Sequence, residues 1–190
     1  MFNDQYGLTQ AVLDGRKTQT RRICYQGTFK RFCSCGFCLE GADRGKLYIN
    51  DGNEVVAKSK FKIGEEVAIA QRYIDLDDEF YRLLGIYKGG MKGYRNKMFV
   101  KADLMPHRIR ITKIRVERLQ DISEEDCIAE GIQDIVGKTY PETHLYRIKK
   151  GDTYYGTPRK PYSKLIDKIS GKGTWDSNPL VFVYDFELVK

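Results

Sequence analysis

His107-Arg-Ile-Arg-Ile-Thr-Lys-Ile-Arg-Val-Glu-Arg-Leu119 is the cleanest alternation of apolar and polar residues in the chain. On a strand, successive side chains point to opposite faces of the sheet. Ile109, Ile111, Ile114 and Val116 therefore make a buried stripe. The stripe changes phase at Thr112-Lys113, which predicts a bulge or bend. Arg108, Arg110, Arg115 and Arg118 are expected on the exposed side, as an RNA-facing surface or as the arginine-decorated outer face of a barrel.

Other strands fall into place around this one. Leu180-Val-Phe-Val-Tyr-Asp-Phe-Glu-Leu-Val189 reads as a closing strand. Phe61-Lys-Ile-Gly64 turns into a strand over Glu66 to Ala70, and Lys46–Ile49 and Glu54–Ala57 flank the hairpin signal Asp51-Gly52. Helices are expected at 6–14, stopped by Gly15, and at 160–169, with Pro161 in the first turn and Tyr162, Leu165, Ile166 and Ile169 on one face. A third begins after Ser123, with Asp126 at the capping-box partner position and Gly131 closing it; Cys127 on this helix reads as core. The Tyr-rich stretch 133–157 reads as a basic loop and, like 24–60, as an insertion, and the Gly-rich tip 88–94 as a mobile basic loop without a phosphate-binding spacing. Short, irregularly spaced strands with two or three helices, and no repeat or linker, give one α+β domain over 1–190. It is built on a curled sheet or small barrel.

The balance of charge is +7, with 14–30 and 88–118 strongly basic and 75–79 and 121–130 acidic. A cationic face of this kind suits a polyanion, nucleic acid above all. No apolar run approaches the roughly 18 residues of a membrane span, and the N-terminus lacks the pattern of a signal peptide. A cytoplasmic location with no membrane partner is expected. Cys24, Cys33, Cys35 and Cys38 cluster in sequence, but without two separated C-x2-C pairs. Free loop thiols are the expected state, with zinc the alternative, and no cofactor is expected. The oligomeric state is not legible.

The densest chemistry lies in Gly15-Arg-Lys-Thr-Gln-Thr-Arg-Arg22, where four of eight residues are cationic. If this segment is extended, Thr18, Thr20 and Arg22 lie on one side and Lys17, Gln19 and Arg21 on the other. If it begins a turn, Lys17 and Thr20 converge. A solvated basic strand is the plain reading. As binding residues we take Arg16, Thr18, Arg21 and Arg22, with Tyr73, Tyr94 and Trp175 as aromatic surfaces for stacking a base. For each aromatic, a place in the core or rim is the favoured reading over a stacking surface.

The motif Leu13-x-Gly15-x-Lys17-Thr18-x-Thr20-x-Arg22, the turn Phe61-Lys-Ile-Gly-Glu-Glu-Val67, the helix from Leu119 to Ile132 ending Ala-Glu-Gly-Ile, and Trp175-x-x-Asn-Pro-x-Val-Phe-Val-x-x-Phe-Glu187 occur in this order. Together they resemble the activating-signal-cointegrator homology (ASCH) domain family, most closely its bacterial and prophage-type members. The resemblance implies a PUA-like small β-barrel with two or three flanking helices, and RNA or modified-nucleoside binding in a cleft around residues 15–22. It also implies an alternative. Compact bacterial 4-acetylcytidine amidohydrolases of this family use a lysine, a threonine and a glutamate, which correspond here to Lys17, Thr20 and Glu130. In that role Thr20 attacks the amide carbonyl, Lys17 takes its proton and Glu130 protonates the departing amine. The chain is longer than those enzymes, and the regions 24–60 and 133–157 fall outside the resemblance.

Overall fold

The computed structural model describes residues 2–24, 42–43, 46–47, 57–76, 92–136 and 143–189. Helix α1 (Leu8–Leu13) leads into strand β1 (Gln19–Ile23), followed by the short strands β2 (Ala42–Asp43), β3 (Lys46–Leu47) and β4 (Ala57–Lys58). Then come β5 (Glu66–Ala68), the long β6 (Arg108–Arg118), helix α2 (Glu124–Ala129), and strands β7 (Gln133–Val136) and β8 (His144–Arg147). Helices α3 (Arg159–Ser170) and α4 (Thr174–Ser177) precede the last strand, β9 (Leu180–Val189).

Four strands form an antiparallel sheet in the order β1-β9-β6-β5, curled into a half-barrel. β9 lies inside the sheet, and Leu180 to Tyr184 are all buried, which explains its nearly unbroken apolar sequence. On β6 the register steps from Ile111↔Phe186 to Lys113↔Asp185, so Thr112 is the extra residue of a bulge. This is the phase slip expected from the sequence. It brings Ile114 and Val116 opposite Tyr184 and Phe182, on the face already set by Ile111 and Phe186.

Helix α2 is capped as its sequence predicts: the Ser123 side chain accepts a hydrogen bond from the Asp126 N–H. The Asp126 carboxylate, however, turns to arginines instead of completing the reciprocal box. Helix α3 buries Pro161, Tyr162 and Leu165. The Arg159 guanidinium donates to the carbonyls of Ile122 and Gln120, both at 2.6 Å, and so fastens α3 to the segment before α2. Apolar side chains from α1, α3, β6 and β9 share one core with Ile122 and Cys127.

Three expectations are revised. Residues 133–157 are not simply loop, since β7 and β8 pair as Asp134↔Tyr146 and Ile135↔Leu145, and Tyr146 also bridges to Tyr155. The pairing of half-buried Ile135 with Leu145 makes a pattern too short to recognise in isolation. The strand after Gly64 ends at Ala68, not Ala70. The arginines of β6 also do not form a common exposed face. Arg110 pairs with Glu66 and Glu187, Arg115 lies against three carboxylates, and Arg118 follows the parity of Ile114 and Val116 and donates to the Asn178 carbonyl. The hairpin turn Asp51-Gly52, the residues Cys33, Cys35 and Cys38, and the tip at 88–91 lie outside the described residues. β3 and β4 pair antiparallel, as Lys46↔Lys58 and Leu47↔Ala57.

Candidate functional site

Strand β1 places the basic motif. Its 19–23 segment is extended, so the alternating reading of the motif holds over the strand. Gln19 and Arg21 face one way, opposite Asp185 and Val183, while Thr20 and Arg22 face the other, opposite Tyr184 and Phe182. Two different environments result.

On the first face the motif is woven into a charged cluster beneath α2. The Arg21 guanidinium is buried and reaches Glu117 at 2.6 Å, Asp126 at 2.7 Å and Glu130 at 3.3 Å. Arg115 reaches Asp126 at 2.7 Å, Asp185 at 2.8 Å and Glu117 at 3.1 Å. Gln19 sits between them, donating to Asp185 and Asp126 and accepting from Arg21. Just ahead of the strand, Lys17 is 2% exposed and its ammonium donates to three acceptors. These are the Gln19 carbonyl at 2.6 Å, the Glu130 carbonyl at 2.8 Å and Glu130 Oε2 at 2.5 Å. An ammonium has three protons, so this one has none to spare. Three basic side chains here, Lys17, Arg21 and Arg115, interlock with four acidic ones, Glu117, Asp126, Glu130 and Asp185.

The protonation directions follow from this packing. Burial pulls the Lys17 ammonium below its ordinary value, against the opposing pull of the Glu130 carboxylate. Burial also works against charge on Arg21 and Arg115, but their carboxylate partners outweigh it and hold both guanidinium groups charged. Burial would raise the Asp126 carboxyl, but the hydrogen bonds and charges of Arg21, Gln19 and Arg115 together outweigh it and hold the group below its usual range. Beside the cluster the Tyr162 hydroxyl is buried without a partner among the described residues and is pushed well up, first by burial and then by Glu130.

On the second face, inside the curl, lies a cavity of about 330 Å³. Thr20 and Arg22 line it from β1, Phe182 and Tyr184 from β9, and Phe61 and Lys60 from the turn before β5. The Tyr184 ring stacks near Phe182 (centroids 6.0 Å apart) and meets Phe61 edge-on at 5.3 Å. The Tyr184 hydroxyl is held by Ser59 Oγ at 3.1 Å and by the Lys60 N–H at 3.3 Å. Among the described residues nothing hydrogen-bonds the Thr20 hydroxyl. Cys24 lines the same cavity, and burial pushes its thiol up to about 12.

Lys17 and Glu130 are therefore in contact, whereas Thr20 lies on the other face and neither Lys17 nor Glu130 lines its cavity. The nearest link is Phe2, which lines the cavity and has the Lys17 ammonium 5.9 Å from its ring centroid. Arg16 is exposed and paired with Asp14 at 3.0 Å. Thr18 serves through its backbone, its N–H donating to Ala129 and its carbonyl accepting from Phe186. Tyr73 is buried away from the cavity, against Met105, and its hydroxyl accepts from the Lys101 N–H. Tyr94 packs against the same small core. Trp175 packs edge-on to Tyr162 at 6.1 Å with Arg159 over its ring. Neither Tyr73 nor Trp175 offers a stacking face to the cavity; that role falls to Tyr184, Phe61 and Phe182. The alternation Phe182-Val-Tyr184-Asp-Phe186 in β9 is the sequence signal that points to two of these rings.

Comparison of the chain with models of protein families, with curated proteins and with solved structures finds no match. The site has to be read from its own chemistry. No cluster of metal-ligating side chains occurs among the described residues, and no helix among them is long and apolar enough to cross a membrane.

Proposed function

We propose that the chain binds a nucleoside, free or as an unpaired base of RNA, in the cavity inside the curled sheet. The observation that carries this is the lining: aromatic rings of Tyr184, Phe61 and Phe182 beside the unpartnered Thr20 hydroxyl and two cationic side chains, Arg22 and Lys60. Its volume falls at the lower end of the ~300–1,000 Å³ typical of small-molecule sites. Flat rings accept a base by stacking, a hydroxyl reads one polar edge, and cations meet a phosphate. The half-barrel supports, at the coarser level, the PUA-like barrel implied by the resemblance to the ASCH family, and a cytoplasmic, RNA-linked role agrees with it. In this account the Lys17–Glu130–Arg21 cluster is the frame that fixes β1, and so the direction of Thr20 and Arg22.

The test is calorimetric titration of cytidine and 4-acetylcytidine into wild type and Thr20→Val. The variant keeps the shape and removes the hydroxyl, so affinity should fall about tenfold, the net worth of one hydrogen bond. Folded wild type that binds neither nucleoside overturns the proposal.

A second reading is the amidohydrolase. The observation in its favour is the unpartnered Thr20 hydroxyl facing the cavity, close in sequence to a buried lysine whose burial favours the neutral amine. Against it, Lys17 makes no contact with Thr20 and donates all three protons elsewhere. Release of cytidine from 4-acetylcytidine, abolished by Thr20→Val, would establish it; no turnover from a protein that binds the compound would remove it.

A further inference from the structure

Residues 92–101 form a surface that the cavity does not use. The turn Lys97–Phe99 is started by Asn96, whose side chain accepts from the Met98 N–H. It presents Met98 at 71% and Phe99 at 59% exposure, both high for large apolar side chains. Around them Lys92, Arg95 and Lys101 are exposed and have no carboxylate partner among the described residues. The contrast with Arg21, Arg110 and Arg115 is sharp, because each of those is matched by two or three carboxylates. Among the described residues, then, Arg21, Arg110 and Arg115 are matched by carboxylates, and Lys92, Arg95 and Lys101 are not.

This surface adjoins the cavity. A groove of about 190 Å³ runs beside the turn, lined by Lys97, Met98 and Val100 on one side and by Ala68 and Ala70 on the other. Ala68 and Ala70 also line the cavity, so these two small residues at the end of β5 form a low shared wall between the two hollows. The turn is fixed in place by Lys97, whose ammonium donates to the carbonyl of the cavity residue Phe2 and to Asp4 at 2.7 Å.

We infer that residues 92–101 hold the nucleotides next to the one in the cavity, so that the ligand is a single-stranded nucleic acid and not a free nucleoside. The inference rests on the proposed base-binding role of the cavity. An exposed phenyl ring and thioether offer a stacking surface to a second base, and the three unmatched cations meet the phosphates joining it to the first. A duplex is the weaker ligand, because a base must first be unstacked and unpaired, at a cost of a few kcal/mol, before it can enter the cavity.

The experiment is fluorescence anisotropy with a labelled ten-nucleotide RNA of mixed sequence over a range of KCl concentrations. Wild type is compared with Lys92→Ala/Arg95→Ala/Lys101→Ala, with Phe99→Ala and with Thr20→Val, and cytidine binding is titrated in parallel. All four altered surface side chains are exposed, so folding is preserved. The triple variant should lower the slope of log K against log salt by ~2, at about 0.7 for each phosphate that is no longer neutralised. Phe99→Ala should weaken the RNA about tenfold, with cytidine binding unchanged in both. If cytidine binds but the RNA is indifferent to both surface variants, or a duplex binds as well as the single strand, the inference fails and the cavity reading stands. Binding to phosphatidylserine vesicles without binding to RNA also overturns it. RNA binding that needs the surface residues but is untouched by Thr20→Val, with no cytidine bound, refutes the cavity reading and overturns the shared site inferred here, leaving 92–101 as a nucleic-acid surface of its own.

Discussion

Lys17 Nζ and Glu130 Oε2 stand 2.5 Å apart, 113 positions apart in the chain, with both side chains buried. This contact joins the turn before β1 to the end of α2. Removing one partner leaves the other charge in a site that water does not reach, at a cost of about 3–5 kcal/mol. Lys17→Ala and Glu130→Ala are each expected to lower the unfolding free energy by about 3 kcal/mol or more, and Lys17→Met/Glu130→Leu to recover most of it. Chemical denaturation of the four proteins tests this. Single variants as stable as wild type would show that the pair does not hold the fold.

Acid should weaken the cluster through Asp126. Its carboxyl titrates below the ordinary 3.8, because burial, which raises it, is outweighed by Arg21, Gln19 and Arg115 together. A group with a depressed folded pKa contributes stability that is full above its unfolded value and lost as pH falls through the folded one. The stability gap between wild type and Asp126→Asn should therefore be constant near neutrality, shrink below 3.8 and close once the carboxyl is protonated. Denaturation midpoints measured from about pH 7 down to about pH 2 decide it; a gap that grows on acidification contradicts the sign.

Gly131 closes α2 at a φ of +104°. A Cβ there would lie 3.3 Å from Leu8 Cδ2 and 3.5 Å from Lys17 Cδ, so strain and crowding act together. Gly131→Ala should cost about 1–3 kcal/mol, readable as a lowered Tm. An unchanged Tm would mean that α2 can end without the left-handed residue.

Cys24 should be a poor nucleophile. With its thiol raised from 9.0 to about 12, it holds far less thiolate near neutral pH than an unperturbed cysteine. Alkylation by iodoacetamide, followed by mass spectrometry of the Cys24 peptide, should be slower by about 10²–10³ in the native than in the denatured chain. Equal rates would place Cys24 in open water and not in the cavity wall.

Much of the scaffold is written locally. The period-two stripe of β6, its break at Thr112, the Ser123 cap and the apolar face of α3 all depend on neighbours a few residues away, so the amino-acid order by itself determines them. The two faces of Gln19–Arg22 are legible for the same reason, since alternation on a strand needs no partner. The β7–β8 pair is not legible, because its strands are short and its stability comes from pairing with each other. Charge cannot be read locally at all. Arg115 and Arg22 look equivalent in sequence, yet one is enclosed by Glu117, Asp126 and Asp185 and the other lines the cavity. Only the tertiary structure decided this, because an arginine's role depends on which carboxylates reach within hydrogen-bonding distance. For Arg21 those carboxylates come from 96 to 109 positions away in the chain.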